Sequence, residues 1–143
     1  MAAKPVTKSF EIIDHTADVG IVAYGADLKQ AFVNAAKGMT SLVIDLRDVR
    51  ASTRRKVEVT AAGIENLLVD WLNELIYLFD TENFLGKKFQ IEELDDQHLI
   101  ATISGEEVDH KRHRIRRGVK ATTYHMLEIK RNSSYRIRVL FDI

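Results

Sequence analysis

Cysteine is absent from this sequence of 143 residues. The protein therefore has no thiol nucleophile, no thiolate ligand for zinc and no disulfide, and its composition is typical of a reducing compartment, so we expect a cytoplasmic protein. A net charge is also absent, because 21 basic residues balance 21 acidic ones. The overall charge gives no reason to expect binding to nucleic acid, and any such binding would need a local patch.

Long apolar runs and phosphate-binding motifs are missing as well. No segment approaches the ~20 apolar residues that cross a bilayer, and the polar residues 1–9 have no apolar core of a signal peptide, so no membrane role is expected. The seven glycines are scattered, without a Walker-type loop or a dinucleotide-binding fingerprint, which disfavours nucleotide hydrolysis by this chain. The length is that of one domain, which we assign to residues 1–143.

Apolar periodicity predicts two helices and seven strands. Residues 27–44 carry apolar side chains on one helix face, and residues 64–79 are apolar on nearly every side. Alternating patterns predict strands at 10–13, 19–24, 53–61, 88–94, 99–104, 119–130 and 135–142, with hairpin turns at 95–97 and 132–134. Because the second helix needs cover on more than one side, we predict an α+β fold. It is a three-layer β/α/β sandwich with two main helices packed between mainly antiparallel sheets.

Acidic side chains occur near both ends of this pattern. Asp142 precedes the last residue, Ile143, and alternation along the last strand turns its side chain away from the core. Asp18 comes just before the second strand. These two carboxylates and the α-carboxylate of Ile143 are hard oxygen donors, which suit Ca²⁺ or Mg²⁺. The alternative is two solvated acids, since Asp is common in turns, and Ca²⁺ would need further donors to reach roughly 6 to 8 oxygens.

The run Lys111–Arg117 is the clearest basic cluster. Its arginines suit phosphate contacts, but no aromatic residue is interleaved for base stacking, and acidic residues at 106, 107 and 109 precede it. A solvated or protein-docking loop and an RNA-binding patch both remain open. The second interpretation gives an alternative function, a transfer RNA-associated chaperone that binds RNA or a modification enzyme through residues 111–117 with salt-dependent affinity.

The chain resembles the archease family along almost its whole length. The motifs that carry this resemblance occur in the family's order: the run Asp14–Gly20, the helix Glu65–Ile76, the pair Gly105–Glu106 with Asp109 and His113, the segment Val119–His125, and the terminal Phe141-Asp142-Ile143.

The resemblance implies a small cytosolic accessory protein, not an enzyme, that activates the GTP-dependent RtcB-type RNA ligase in transfer RNA splicing and RNA repair. Such proteins promote guanylylation of the ligase and so its repeated turnover, and they meet transfer RNA indirectly, through the ligase. The resemblance also implies the three-layer fold and a divalent cation site on Asp18, Asp142 and the terminal Ile143. The ion is expected to be calcium, with magnesium or manganese as alternatives.

Four further residues are candidates for contacting the ligase under this resemblance: His15, Asp109, His113 and Lys120. His15 would orient the acidic turn or add a ligand. The alternative for Asp109 and His113 is that they hold the basic loop in place. Lys120 is expected outside the core, on the strand face opposite Ala121.

Overall fold

In the part of the chain that the structure describes, two α-helices and seven strands make up the regular architecture. The structure is a computed structural model that covers residues 8–14 and 18–143, without the side chain of Asp14. In chain order the elements are β1 (Phe10–Asp14), β2 (Val19–Gly25), α1 (Leu28–Val43), a 3-10 turn (Leu46–Asp48), β3 (Thr53–Thr60), α2 (Ile64–Glu82), β4 (Phe84–Leu94), β5 (His98–Glu107), β6 (Ala121–Arg131) and β7 (Tyr135–Asp142).

The strands form two antiparallel sheets, and the helices lie between them. One sheet has the order β1-β2-β7-β6 and the other β3-β5-β4. Helix α1 contacts β2 of the first sheet and β4 of the second, while α2 contacts β6 of the first and all three strands of the second. The predicted three-layer β/α/β sandwich is therefore confirmed, and so is its physical reason, since α2 is covered from both sides.

Helix α1 begins where the sequence predicts. The side chain of Asp27 accepts a hydrogen bond from the backbone N–H of Gln30 at 2.8 Å, which satisfies a donor left free in the first turn. The side chain of Gln30 accepts in turn from the backbone N–H of Ala26 at 2.8 Å. This exchange is close to a capping box and fixes the direction in which the chain leaves β2.

The buried indole of Trp71 on α2 contacts both helix α1 and strand β4. Its Nε1 donates to the carbonyl oxygen of Phe32 on α1 at 3.1 Å, and its ring meets that of Phe89 on β4 edge to face, with centroids 6.5 Å apart. Among the described residues no helix is long and apolar enough to cross a membrane.

Helix α2 and strand β4 are both longer than the sequence predicts. The helix continues past Phe79 to Glu82, where Asn83 takes a left-handed conformation with φ 53° and ends it. Strand β4 then begins at Phe84, four residues before the predicted start. The first three residues of β4 are all buried, so this part of the strand has no alternation that a sequence pattern could reveal.

Strand β6 departs from regular alternation. Thr123 pairs with Leu140 and Glu128 pairs with Arg138, so β6 advances five residues while β7 advances two. Met126, inside this bulge, has a φ of 57°. The Arg138 guanidinium on β7 donates to the Met126 carbonyl oxygen at 2.9 Å, which fixes the bulge. At the start of β6 the predicted facing is wrong, because Thr122 is the buried residue while Ala121 lies on the outer face with Asp142. Beyond the bulge, Leu127 and Ile129 pack against the core.

On the outer face of β7, Leu140 is only 1 % exposed, although alternation predicts that it points away from the core. Its side chain lies over Gly20 on β2, the residue directly opposite. A Cβ atom at Gly20 would come within 2.3 Å of Leu140 Cδ2 and 2.9 Å of the Val139 carbonyl oxygen. The absence of a side chain at position 20 therefore creates the space in which Leu140 is buried.

Replacing Gly20 by alanine is expected to destabilise the fold by about 1–3 kcal/mol, because the added methyl group overlaps packed atoms. The free energy of unfolding in urea measures the effect. Gly118→Ala is the matched control, since a Cβ there meets nothing within 4 Å, and its change should stay within about 0.5 kcal/mol. Equal stability of the two variants would contradict the packing described for Leu140.

Candidate metal centre

The end of β7 brings Asp18 and Asp142 to neighbouring positions. Val19 pairs with Phe141, and both side chains are buried on the core face. Asp18 and Asp142 each lie one residue beyond this last pair of the register, at the same end of β2 and β7. Asp142 is exposed and Asp18 is half-buried. Two acidic residues from distant parts of the sequence therefore lie at one end of the sheet.

Lys120 lies at the same strand end. Its backbone N–H donates to the carbonyl oxygen of Asp142 at 2.8 Å, and its side chain is exposed, as predicted. The reason is different from the predicted one, because Lys120 precedes the first residue of β6. Ile143, with 47 % of its surface exposed, follows Asp142 at the same position in the fold. The backbone of Lys120 and the residue Ile143 thus lie next to Asp142.

The donor set at this end is made of oxygen atoms. In residues 8–14 and 18–143, no group of three or more His, Cys, Asp or Glu side chains is arranged to hold a metal ion. Asp18 and Asp142 supply two carboxylates, and a terminal Ile143 would add its α-carboxylate. Such a set suits Ca²⁺ or Mg²⁺ and leaves most of the coordination positions of either ion to water or to a partner. The candidate His15 lies outside the described residues.

A second cluster forms around Glu106 at the end of β5. Glu106 Oε2 accepts from the backbone N–H of Arg50 at 2.5 Å and from His113 Nε2 at 3.1 Å, while its Oε1 accepts from the Arg112 guanidinium. Burial works to raise the pKa of the Glu106 carboxyl, but these hydrogen bonds and the Arg112 charge outweigh it, so the pKa lies below its usual value. Glu106 is therefore a buried carboxylate with a full set of donors.

His113 belongs to this cluster. Its side chain has no exposed surface, and its Nδ1 accepts from the backbone N–H of Asp109 at 2.8 Å. An acceptor at Nδ1 and a donor at Nε2 define a neutral ring with its proton on Nε2. Asp109 in turn accepts at its backbone oxygen from the N–H of His113 at 2.6 Å. The two ligase-contact candidates thus close a turn, while the carboxylate of Asp109 stays largely exposed.

None of these hydrogen bonds among the described residues connects the Glu106 cluster with Asp18, Asp142 or Lys120. The structure therefore places the sequence candidates at two locations, the end of β7 and the turn after β5. At the turn after β5, Glu106 connects Arg50, Arg112 and His113 through its carboxylate. The sequence offered a signal for it only in the motif Gly105–Glu106, since an acid at the end of a strand is otherwise unremarkable.

Two arginines of the basic run 111–117 are used inside the protein. Arg112 binds Glu106 and donates to the backbone oxygen of Asp48 at 3.1 Å. Arg116 donates to the backbone oxygen of Ser41 at 3.1 Å and lies 3.6 Å from the Asp45 carboxylate. A hydrogen bond from Arg47 is the main cause that holds the pKa of Asp45 far below its usual range. The run is thereby attached to the segment after α1, which favours a docked loop over a free phosphate-binding arm.

Asn73 is a positioning residue that the sequence did not single out. Its Oδ1 accepts the backbone N–H of Thr122 at 2.8 Å, and two turns earlier on the same helix Asn66 accepts the hydroxyl of Tyr124 at 2.6 Å. These contacts attach α2 along the first half of β6, beginning two residues after Lys120. The signal in the sequence is weak, since it consists only of asparagines in the narrow polar strip of an apolar helix.

The fold defines a class, small α+β proteins in which two antiparallel sheets enclose two helices. A family model described as the Archease protein family matches residues 10–143. An archease of Methanothermobacter thermautotrophicus is 44 % identical over 140 residues, which are 95 % of this chain and 99 % of that protein. An archease of Methanosarcina acetivorans is 38 % identical over 141 residues, covering 95 % and 97 %. The chain belongs to the archease family.

Solved structures agree with this assignment. The solution structure of Methanobacterium thermoautotrophicum protein 1598 superposes with a TM-score of 0.79 at 43 % identity, covering 94 % of this chain and 99 % of that one. A Thermotoga maritima crystal structure, described as an archease and possible chaperone, gives a TM-score of 0.58 at 18 % identity, covering 100 % and 98 %. The second likeness shows the fold alone.

Proposed function

We propose that this protein is a non-enzymatic activator of a GTP-dependent RtcB-type RNA ligase in transfer RNA splicing and RNA repair. It would promote guanylylation of the ligase and so its repeated turnover. The observation that supports the proposal most is the register of β2 and β7, whose last pair is Val19 with Phe141, so that Asp18 and Asp142 belong to the same end of the two strands in a chain of the archease family. The nucleophile of the reaction belongs to the ligase in this proposal.

The two carboxylates, with the α-carboxylate of Ile143, would hold a divalent cation, with calcium the first expectation and magnesium or manganese the alternatives. Such an ion, when bound, supplies positive charge that offsets the negative charge of a triphosphate during nucleotidyl transfer. This chain's contribution would be to hold the acids together at one end of a packed sheet. Because Asp142 is exposed, phosphate or carboxylate groups of a partner have access to the same place.

The four contact candidates take different parts in this proposal. Lys120 is exposed, and its backbone N–H bonds to Asp142; its ammonium would suit a phosphate or a carboxylate of the ligase. Asp109 offers an exposed carboxylate at the turn after β5. The buried ring of His113 would act by fixing that turn. His15 keeps its proposed role beside the acids as a candidate from the sequence.

Multiple-turnover RNA ligation with the ligase of the same cell tests the proposal. Adding this protein below the ligase concentration, with GTP and a divalent cation, is expected to raise ligated product well beyond one turnover per ligase. A parallel reaction started from ligase that is already guanylylated should show the same first turnover with or without this protein. Product that stays at one turnover per ligase in both reactions would overturn the proposal.

A further inference from the structure

Basic side chains lie along the edge of the β3-β5-β4 sheet. The acids of the candidate metal centre belong to the other sheet. A groove there is lined by Lys37 of α1, Arg54 of β3, and Lys87 and Lys88 of β4. Glu92 is the single carboxylate among the residues that line it. In a chain whose net charge is zero, four cations against one acid make a strongly positive groove.

The sheet register sets the spacing of these charges. Arg54 pairs with Ser104, and Ser104 pairs with Lys88, so the three side chains form one row across the outer face. Two strand spacings separate Arg54 from Lys88, which corresponds to about 10 Å. Lys56 lies two residues after Arg54 on the same face, about 7 Å along the strand. Lys56 along the strand and Lys88 across the sheet therefore occupy positions about 7 and 10 Å from Arg54.

The carboxylate in the groove is already engaged. Glu92 Oε1 accepts the hydroxyl of Thr102, and its Oε2 lies 4.0 Å from Lys56 Nζ. Within residues 8–14 and 18–143, no acidic side chain pairs with Arg54 or Lys88, both of which are exposed. The guanidinium and the ammonium that the row presents are thus available to an outside anion.

Two β4 features shape the groove. Lys87 is the extra residue at a register shift between Gly86 and Lys88, and its Nζ donates to the backbone oxygen of Leu46 at 2.6 Å. Beyond it, Lys29 of α1 donates to the backbone oxygen of Glu92 at 3.1 Å. The edge strand β4 is therefore attached to α1 through Lys29 and to the 3-10 turn after α1 through Lys87, which gives the groove a fixed geometry.

We propose that this groove binds the phosphate backbone of a single-stranded nucleic acid. Arg54 and Lys88 would each contact a phosphate, and the hydroxyl of Ser104 between them would donate to the same chain. The aromatic residue that lines the groove, Phe89, is only 6 % exposed, so it offers no platform for stacked bases. Binding is therefore independent of sequence and depends strongly on salt.

A nucleic acid fits the groove better than an acidic protein does. The repeated phosphates of a nucleic acid match cations whose positions lie about 7 and 10 Å from Arg54, and an exposed arginine with a hydroxyl donor is the group typical of phosphate contacts. The basic run 111–117 is the weaker site, because Arg112 and Arg116 are held by internal partners. The proposal does not depend on the ligase function, since it concerns a surface of this chain alone.

Fluorescence anisotropy with a labelled single-stranded RNA of roughly 20 nucleotides tests the proposal. The wild-type affinity should fall linearly with salt on a logarithmic scale, with a slope of about −0.7 per phosphate contacted. The double variant Arg54→Ala/Lys88→Ala should bind roughly tenfold more weakly at low salt, because two exposed charge contacts are lost. Its slope should shrink by about 1.4.

The matched control is Arg114→Ala/Arg117→Ala, which removes two exposed charges from the basic run. It should keep the wild-type affinity and slope, and circular dichroism should show that both variants remain folded. The proposal is overturned if the control variant loses the binding instead, or if the wild type shows no salt-dependent binding at about 50 mM salt. Displacement of the RNA by poly-glutamate as effectively as by unlabelled RNA would also overturn it. No ligase is present, so the result is separate from the outcome of the ligation assay.

Discussion

Asp18→Asn and Asp142→Asn, made singly and together, are expected to remove most of the stimulation of the ligase while leaving the fold intact. Each change removes one anionic donor from the end of β7 without changing the size of the side chain, and two amides cannot replace the charge of two carboxylates toward a divalent cation. Loss of groups that support a metal typically costs about 10–100-fold in metal affinity or activity. We expect a loss in that range for turnovers per ligase in the double variant.

The matched control is Asp96→Asn, an exposed acid in the turn between β4 and β5, which should leave the stimulation unchanged. Calcium titration by calorimetry gives a readout that needs no ligase, and heat should be released by the wild type and by Asp96→Asn but not by the double variant. Wild-type protein that takes up no divalent cation would refute the metal site. Full stimulation by a folded double variant would refute its role in activation.

The α-carboxylate of Ile143 can be tested in the same assays. A few residues appended after Ile143 move the terminal charge away from Asp142 and place an amide carbonyl in its position. If the terminal carboxylate is a donor, the extended protein should show weaker calcium binding and weaker stimulation, in the same order as the aspartate variants. Unchanged behaviour of the extended protein would leave Asp18 and Asp142 as the donors and remove Ile143 from the set.

The sequence allowed the layers of the fold to be predicted because the relevant signals are periodic. The apolar stripe of α1, the nearly all-round apolar surface of α2 and the alternation of β7 each report which sides are covered. The same alternation placed Asp142 outside the core, as observed. A joint site of Asp18 and Asp142 is only compatible with the pattern, since alternation along single strands does not say which strands pair. The register of β2 with β7 supplies that information.

Features that break a period could not be predicted in this way. The bulge in β6 contains Met126 at a positive φ. This conformation is uncommon for residues other than glycine, so a methionine in the sequence gives no reason to predict it. The burial of Leu140 on the outer face depends on Gly20 across the strand pair, which is a tertiary contact. Glu106 resembles an ordinary exposed acid in the sequence. Its partners come from residues 50, 112 and 113, so its importance appears only when the chain is folded.

Glu106→Gln is expected to lower the free energy of unfolding by roughly 3 kcal/mol, because it leaves the Arg112 guanidinium and the surrounding donors without their buried anion. For a chain of this size that corresponds to a fall in Tm of about 10 °C. Glu107→Gln is the matched control, since Glu107 is the exposed neighbour on the same strand. Its Tm should change by no more than about 2 °C.

The loss of charge also has a pH signature. The pKa of Glu106 is lower in the folded state than the ordinary value of 4.5, and burial alone would have raised it, so the hydrogen bonds from Arg112, Arg50 and His113 are what lower it. A lowered folded pKa contributes stability that is fully present above the unfolded pKa and is lost as the pH falls through the folded value. Urea unfolding from about pH 7 to about pH 3 should therefore show the wild type converging on Glu106→Gln in acid. A constant difference between the two proteins over that range would contradict a buried Glu106 carboxylate, and with it the anchor that holds the turn of Asp109 and His113.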